Sequence, residues 1–152
     1  MNPEAKLHEL GLALPSVPTP AANFVPFKRD GHVIYLSGQG PRKPDGSLHV
    51  GKVGRDVSVE EAYEHAKLVG LGLLAVAKRA AGGLDKVEVL KLFGMVNAVP
   101  EFTEQPKVIN GCSDLLVAVL GERGRHARSA IGVGSLPNGM TVEIEAVMRV
   151  VA

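Results

Sequence analysis

Tryptophan is absent from this chain of 152 residues, and aromatic side chains make up only 4% of it. Proteins that hold single-stranded nucleic acids stack the bases on aromatic rings, and few such platforms can be built here. The formal net charge is only +1 at pH 7, so the chain also lacks the basic surface that neutralises phosphates. Nucleic acid is therefore not an expected partner.

Thiols and long apolar runs are also scarce. Cys112 is the only cysteine, which excludes an internal disulfide and a metal site made from several thiolates of one chain. No apolar run approaches 18 residues without a charge, so we expect no membrane contact. The N-terminus lacks the basic-then-apolar pattern of a signal peptide, so we expect a cytoplasmic location.

What the chain does contain is a core. Hydrophobic residues make up 45% of the sequence, which suits one globular domain. The patterns predict the order β, β, α, β, α, β, β, and hence an α+β fold with one mixed sheet and two helices on one face. The second strand, from His32 to Ser37, is apolar on both of its faces. Two helices cover only one face of a sheet, so the other face predicts oligomerisation.

The helices are marked by their ends. Ser58 and Glu61 form the ends of a capping-box motif that predicts the start of a long helix, which runs to about Ala81 before two glycines. His65 lies among charged residues of this helix, so we expect it at the surface. Thr103 is the expected N-cap of the second helix, which ends at Gly121. Cys112 falls in its apolar stripe, as a small buried hydrophobe does.

The sequence pattern of the N-terminal segment differs from that of the main domain. A short helix is predicted from Pro3 to Leu12, followed by a proline-rich connector, so residues 1–21 form one segment and residues 22–152 the main domain. Asn23 to Lys28 is the expected first strand, and Pro26 places it at an edge or a bulge.

The stretch from His126 to Gly134 is the most unusual part of the sequence. Alternation places Arg128, Ala130, Gly132 and Gly134 on one face of a strand, so a large cation is followed by nothing larger than a methyl group. Such small side chains leave room for a small molecule with an anionic group. The turn at Pro137 predicts a hairpin with the next strand, which brings Glu143 opposite Gly132, on the same side as Arg128. An exposed strand whose charges form surface ion pairs fits the same pattern.

Four segments together resemble the RidA (YjgF) family of reactive-intermediate deaminases: Leu36-Ser-Gly-Gln39, Ala127-Arg-Ser-Ala130, Leu136-Pro137 and Val142-Glu-Ile-Glu-Ala146. They follow the family's order and approximate spacing, and the resemblance covers residues 22 to 150. The N-terminal helix resembles the longer-chain branch of the family. The resemblance implies a chorismate-mutase-like α+β fold, assembled as a homotrimer with ligand clefts between subunits.

The resemblance also implies an activity: hydrolysis of 2-imino or 2-enamino acids to 2-keto acids and ammonia, without a cofactor or metal. Arg128 matches the arginine that grips the substrate carboxylate, and Glu143 matches the carboxylate that holds the attacking water. Asn110, Ser37 and Gly38 match residues that line the cleft. The implied partner is thus a small carboxylate-bearing metabolite.

Two positions depart from the family pattern. Phe24 stands where a pocket tyrosine is expected, which removes a hydroxyl, and Ala130 replaces a cysteine that contributes through its backbone. A non-catalytic binder of 2-keto acids or similar carboxylates is therefore the alternative function. Endoribonuclease or translation-inhibitor activity, a label attached to relatives, is disfavoured by the near-neutral charge and the few aromatic residues.

Overall fold

The computed structural model of the protein describes residues 2–20 and 22–151. Its regular elements are, in chain order, α1 (Pro3–Glu9), β1 (Phe27–Asp30), β2 (Val33–Gln39), α2 (Val59–Ala81), β3 (Val87–Asn97), α3 (Gln105–Leu120), β4 (Ala127–Val133) and β5 (Val142–Val150). This order is the predicted one, with the N-terminal helix in front of it. The predicted segment limits Met1, Ala21 and Ala152 lie outside the described residues.

The five strands form one mixed sheet in the order β1-β2-β5-β3-β4. β3 and β4 run parallel, whereas the other neighbours are antiparallel. Helices α2 and α3 pack against each other and against one face of this sheet. The predicted α+β class and mixed sheet are confirmed. The largest fully buried side chains, which come from both layers, include Ile34, Leu73, Leu74, Leu92, Ile109, Leu116, Ile144 and Met148.

The limits of the two long helices are set by local contacts. The hydroxyl of Ser58 accepts a hydrogen bond from the Glu61 amide at 3.1 Å, and the Ser58 amide donates to the Glu61 carboxylate at 3.2 Å. This capping box satisfies two amides that the helix itself leaves unpaired. Gly82 ends α2 with φ 85°, as predicted. Among residues 2–20 and 22–151, no helix is both long and apolar enough to cross a membrane.

The predicted hairpin between β4 and β5 is wrong. β4 lies at the edge of the sheet and pairs only with β3, while β5 lies between β2 and β3. The reason is the connection through α3: a strand, a helix and a second strand of one sheet form a parallel crossover. β4 therefore docks beside β3, and the chain then crosses β3 to reach the middle of the sheet.

Three further predictions need smaller corrections. β1 begins at Phe27 and not at Asn23, because Pro26 has no amide to offer the ladder. α1 ends at Glu9 and not at Leu12. The N-cap of α3 is Glu104, which makes no side-chain capping bond, and not Thr103.

His65 is buried, not exposed as predicted: only 8% of it is accessible. Its ring stacks on that of His49, with centroids 4.1 Å apart, and its Nδ1 lies 2.9 Å from the hydroxyl of Thr141. Burial is the main cause that lowers the pKa of His65 to about 4. The loop that carries His49 covers this part of α2, which the local sequence of the helix does not reveal.

The sheet face away from α2 and α3 carries apolar side chains. Tyr35 pairs with Val147 and Met95 pairs with Ile131, and paired residues point to the same face of a sheet. Tyr35 is 50% exposed and Ile131 41% exposed, whereas Met95 and Val147 are half-buried. No described helix covers this face, so the apolar surface that the sequence predicts is present.

Candidate functional site

Arg128 points from β4 toward α3 and is held there by three hydrogen bonds. Its Nη1 donates to Oδ1 of Asn110 at 2.8 Å and to Oγ of Ser113 at 3.0 Å. Its Nη2 donates to the carbonyl of Pro106 at 3.1 Å. Because all three acceptors lie on one helix, the guanidinium is fixed relative to α3. We call Arg128, Asn110, Ser113 and His126 the arginine cluster.

The guanidinium keeps donors for a ligand. It carries five N–H groups, and three are used by Asn110, Ser113 and Pro106. The N–H of Nε and one N–H of Nη2 have no partner among the described residues. A planar guanidinium with two such donors can pair with a carboxylate through two hydrogen bonds. The arrangement therefore leaves a positioned cation with unused N–H donors.

A serine and a histidine support this arginine. Nδ1 of His126 lies 2.6 Å from the carbonyl of Gly124, and since a carbonyl only accepts, Nδ1 carries the proton of the neutral ring. Nε2 is then the acceptor for the hydroxyl of Ser113, 2.9 Å away. Burial is the largest cause that lowers the pKa of His126, which favours this neutral form. The histidine thus orients the serine hydroxyl, whose oxygen accepts from Arg128.

The small residues of β4 are partly covered by other side chains. Ala130 shares the face of Arg128 and packs half-buried against the core. A Cβ on Gly132 would lie 2.8 Å from Nε2 of the Gln105 side chain, which belongs to the first turn of α3. No described atom lies within 4 Å of a Cβ built on Gly134. The space beside Gly132 is thus partly filled by a side chain of α3, Gly134 is open, and the ligand floor stays a prediction.

Glu143 lies in a different place, a cavity of about 340 Å³. Phe24, Ser37 and Gly38, which the sequence also singled out, line this cavity with it. We call it the glutamate cavity. Its wall is completed by residues from the N-terminal connector, the β2 exit loop and the segment before β5, including Pro18, Thr19, Pro20, Ala22, Pro26, Gln39, Gly40, Arg42, Leu48, Pro137, Asn138 and Met140.

The carboxylate of Glu143 depends on a glycine beside it. A Cβ on Gly38 would overlap Oε2 of Glu143, so any larger residue at this position would displace the carboxylate from its present place. Burial, and after it the charge of Glu145, raises the pKa of Glu143 above its usual value. A carboxylate with a raised pKa is a better proton acceptor near neutral pH than an ordinary one.

Ser37 has a structural contact. Its hydroxyl donates to the carbonyl of Val25 at 2.6 Å and so ties the segment before β1 to β2. Phe24 lies on this segment and is 49% exposed. Ser37 therefore helps to place Phe24 at the rim of the glutamate cavity.

The arginine cluster and the glutamate cavity cannot meet within one chain. Leu92 pairs with both Arg128 and Ala146, and Met95 pairs with both Ile131 and Glu143. Side chains alternate between the faces along each strand, so Arg128 lies on the helix side and Glu143 on the uncovered side. The prediction that they share one patch of a hairpin is wrong.

Comparison with known proteins gives these two groups a context. A family model described as "YjgF/chorismate mutase-like, putative endoribonuclease" matches residues 4–142. The chain belongs to the YjgF/RidA family. The match includes the β2 end with Ser37 and Gly38 and the strand with Arg128, so the resemblance found in the sequence is confirmed.

Three proteins of known sequence or structure are similar to this chain over nearly its whole length. Protein TCP17 of Trypanosoma cruzi is 41% identical over 147 residues, which cover 95% of this chain and 92% of that protein. The crystal structure of Atu1372 from Agrobacterium tumefaciens, a protein of unknown function, is 46% identical with a TM-score of 0.90, covering 97% of this chain and 92% of that one. A Shewanella oneidensis MR-1 protein described as a putative endoribonuclease is 32% identical with a TM-score of 0.94, covering 98% and 99%.

Several residues of the arginine cluster and of the glutamate cavity were not predicted from the sequence. Ser113 was not connected with Arg128, because it reaches the arginine only through the packing of α3 on β4. The sequence analysis assigned Pro18 and Pro20 to a connector outside the main domain. In the structure both residues line the glutamate cavity. No cluster of three or more metal-binding side chains occurs within the part of the chain that the structure describes.

Proposed function

We propose that the protein is a hydrolytic deaminase of 2-imino and 2-enamino acids, which it converts to 2-keto acids and ammonia. The observation that carries the proposal is the pair of half-sites on opposite faces of the sheet: a free guanidinium edge at Arg128 and a cavity with a basic carboxylate at Glu143. The guanidinium binds the substrate carboxylate, and the glutamate accepts and returns a proton. In the proposed assembly, one protomer contributes the arginine and its neighbour contributes the glutamate.

The arginine cluster binds the substrate carboxylate. Arg128 offers two N–H donors in one plane, and its orientation is set by Asn110 and Ser113. An arginine that is held in place before the ligand arrives loses little rotamer freedom on binding. The carboxylate then fixes the position of the adjacent imine carbon.

The glutamate cavity supplies the water and the proton transfers. In a protonated imine the carbon is already electrophilic, so water attacks it while Glu143 accepts a proton from that water. Glu143 then returns the proton to nitrogen, the C–N bond of the amino alcohol breaks, and ammonia leaves. The hydroxyl loses its proton as the keto group forms, which restores the proton that first charged the imine. An imine and one water thus give one keto acid and one ammonia, and an enamine first takes a proton at its β-carbon to become the imine.

Assembly completes the site. The uncovered sheet face carries Tyr35, Met95, Ile131 and Val147, which suits contact with another subunit. Glu143 lies on this same face, at the cavity beside it. We propose a homotrimer, in which the arginine cluster of one subunit faces the glutamate cavity of the next.

A non-catalytic carboxylate binder is the alternative that a specific residue favours. Phe24 brings a ring without a hydroxyl to the rim of the cavity, where a hydroxyl would assist a polar intermediate. Endoribonuclease activity has less support, because none of the described residues that line the glutamate cavity is a histidine.

The deaminase is tested by adding the protein to iminopropanoate or iminobutanoate, generated enzymatically, and measuring the release of keto acid. We expect faster release than the spontaneous rate. Binding of 2-ketobutyrate without any acceleration would favour the alternative function.

The shared site is tested by co-expressing Arg128→Ala and Glu143→Gln subunits. Each variant alone is expected to lack activity, whereas a random mixture contains about one intact site in four if the two residues come from different subunits. Recovery to about a quarter of the normal rate supports the arrangement. A mixture that stays inactive contradicts it.

A further inference from the structure

The glutamate cavity contains a second charged residue, Arg42. This arginine follows β2 and begins a small hairpin in which Arg42 bridges to Leu48. Arg42 is among the residues that line the same cavity as Glu143, and it also lines a neighbouring cavity together with Lys43 and Gly46. The cavity therefore has a cation of its own, in addition to the arginine that the neighbouring subunit contributes under the proposed function.

The guanidinium of Arg42 has most of its donors available. Its Nη1 donates to the carbonyl of Gly46 at 3.1 Å, and no other side-chain hydrogen bond or ion pair involves it among the described residues. Four of its five N–H groups are then open to a ligand. Arg42 is exposed, and its bond to Gly46, a residue of the neighbouring cavity, anchors the side chain to the hairpin beside the glutamate cavity.

Arg42 and Glu143 occupy separate parts of the cavity. No ion pair joins them within 4.0 Å among the described residues. The causes that raise the pKa of Glu143 are burial and Glu145, and Arg42 is not one of them. Arg42 is thus not paired with Glu143, and its guanidinium is open to another part of the substrate.

The rest of the wall offers no competing charge. Beside the polar groups near Glu143, it is built from apolar side chains such as Pro18, Pro20, Leu48 and Met140. A purely aliphatic substrate side chain would fill this space and leave the donors of the exposed Arg42 to water. A side chain that ends in a carboxylate would satisfy them.

We propose that Arg42 binds a second acidic group at the far end of the substrate, so that the preferred substrates are 2-imino dicarboxylic acids, the imines of acidic amino acids. This rests on the proposed function for the reaction itself. Arg128 holds the carboxylate next to the imine carbon, Glu143 handles the water, and Arg42 selects the side chain. The products are then 2-keto dicarboxylic acids.

Two keto acids of equal length test this assignment. 2-Ketoglutarate and 2-ketopentanoate both have five carbons and differ in a terminal carboxylate against a methyl group. We expect calorimetry with the wild-type oligomer to show at least about tenfold tighter binding of 2-ketoglutarate, the range of hydrogen bonds to a charged group. In Arg42→Met this ratio should fall to near one, and Arg42→Lys should retain part of it.

Lys43 provides the matched control. It is the adjacent cation in the chain but does not line the glutamate cavity, so Lys43→Met should keep the wild-type ratio. An equal loss in Lys43→Met would show that general charge attraction is responsible and would overturn the proposal. A ratio near one in the wild type, an unchanged ratio in Arg42→Met, or failure of both keto acids to bind would overturn it as well.

The same experiment separates this proposal from the proposed function. Binding that depends on Arg42, in a protein that does not accelerate imine hydrolysis, would support the acidic-group site and reject the deaminase. Accelerated hydrolysis of iminopropanoate with no preference for dicarboxylic ligands would support the deaminase and reject the role of Arg42.

Discussion

The hydroxyl oxygen of Ser113 accepts a hydrogen bond from Nη1 of Arg128 at 3.0 Å, and its proton is directed to His126. One turn of α3 thereby orients a side chain on the edge strand of the sheet. The contact explains how an arginine that is only half-buried keeps one position before any ligand binds.

Removal of this hydroxyl should weaken ligand binding without removing the cation. We expect Ser113→Ala to lower the affinity for 2-ketobutyrate about fivefold to tenfold, since one hydrogen bond contributes about 1 kcal/mol. Ser113→Thr keeps the oxygen and should retain most of the affinity. Calorimetry on both variants measures the difference, and equal affinities in wild type and Ser113→Ala would show that the serine does not position Arg128.

Substitution of Arg128 itself should have a larger effect. Arg128→Ala is expected to lose about 2 to 5 kcal/mol of 2-ketobutyrate binding, as when one partner of a desolvated charge pair is removed. Arg128→Lys should restore little, because an ammonium cannot form two parallel hydrogen bonds to a carboxylate. Circular dichroism checks the fold, and unchanged affinity in a folded Arg128→Ala protein would mean that this strand has only a structural role.

The pH dependence of turnover should respond to Glu145. Its negative charge favours the protonated form of Glu143 and so raises the pKa of Glu143. Under the proposed mechanism turnover needs the deprotonated form, so we expect activity to be lost as the pH falls through this pKa. Glu145→Gln should lower the pKa and shift the acid limb of the kcat/KM profile to lower pH. Glu64→Gln, on the exposed side of α2, is the control, and a shift to higher pH in Glu145→Gln would contradict the assignment.

The uncovered sheet face should hold subunits together. We expect sedimentation to give the mass of a trimer at micromolar concentration, and Ile131→Asp to reduce that mass, because a charge would be buried in the interface. Leu10→Asp is a matched control, since Leu10 is 42% exposed, close to the 41% of Ile131, but lies just after α1. A wild-type monomer would contradict the proposed assembly.

Cys112 should be dispensable for activity. It is fully buried in α3, and burial raises the pKa of its thiol to about 12, so it is neutral and unreactive at physiological pH. Cys112→Ala should keep full turnover and lose about 1 to 2 kcal/mol of unfolding free energy, as expected for a small group removed from a core. A folded Cys112→Ala protein without turnover would show that the site has been misplaced.

The sequence was sufficient to predict those features of the structure that depend on contacts between residues close together in the chain. The capping box at Ser58 and the left-handed glycine at Gly82 lie at the ends of α2 as predicted, because each contact spans only a few residues. The apolar stripe of α3 likewise placed Cys112 in the core. The α+β class followed from these periods and from the order of the elements.

Contacts between distant segments were beyond such reasoning. The two strands at Arg128 and Glu143 were expected to pair because they follow each other in the chain, yet β4 pairs with β3. His65 was expected at the surface because its neighbours on α2 are charged, yet it stacks on His49 of a remote loop. Alternation fixes which residues of a strand share a face, but not which face meets a helix.

The candidate site divides in the same way. Its two proposed residues, Arg128 for a carboxylate and Glu143 for water, were predicted from the resemblance to the family, because the motifs that carry the resemblance are short and contiguous in the chain. Only the tertiary structure decided that Arg128 and Glu143 lie on opposite faces of one sheet, that Ser113 and His126 hold the arginine, and that Arg42 lines the cavity of the glutamate. The physical reason is that strand pairing and helix packing join residues far apart in the chain, and a sequence pattern records only the near ones.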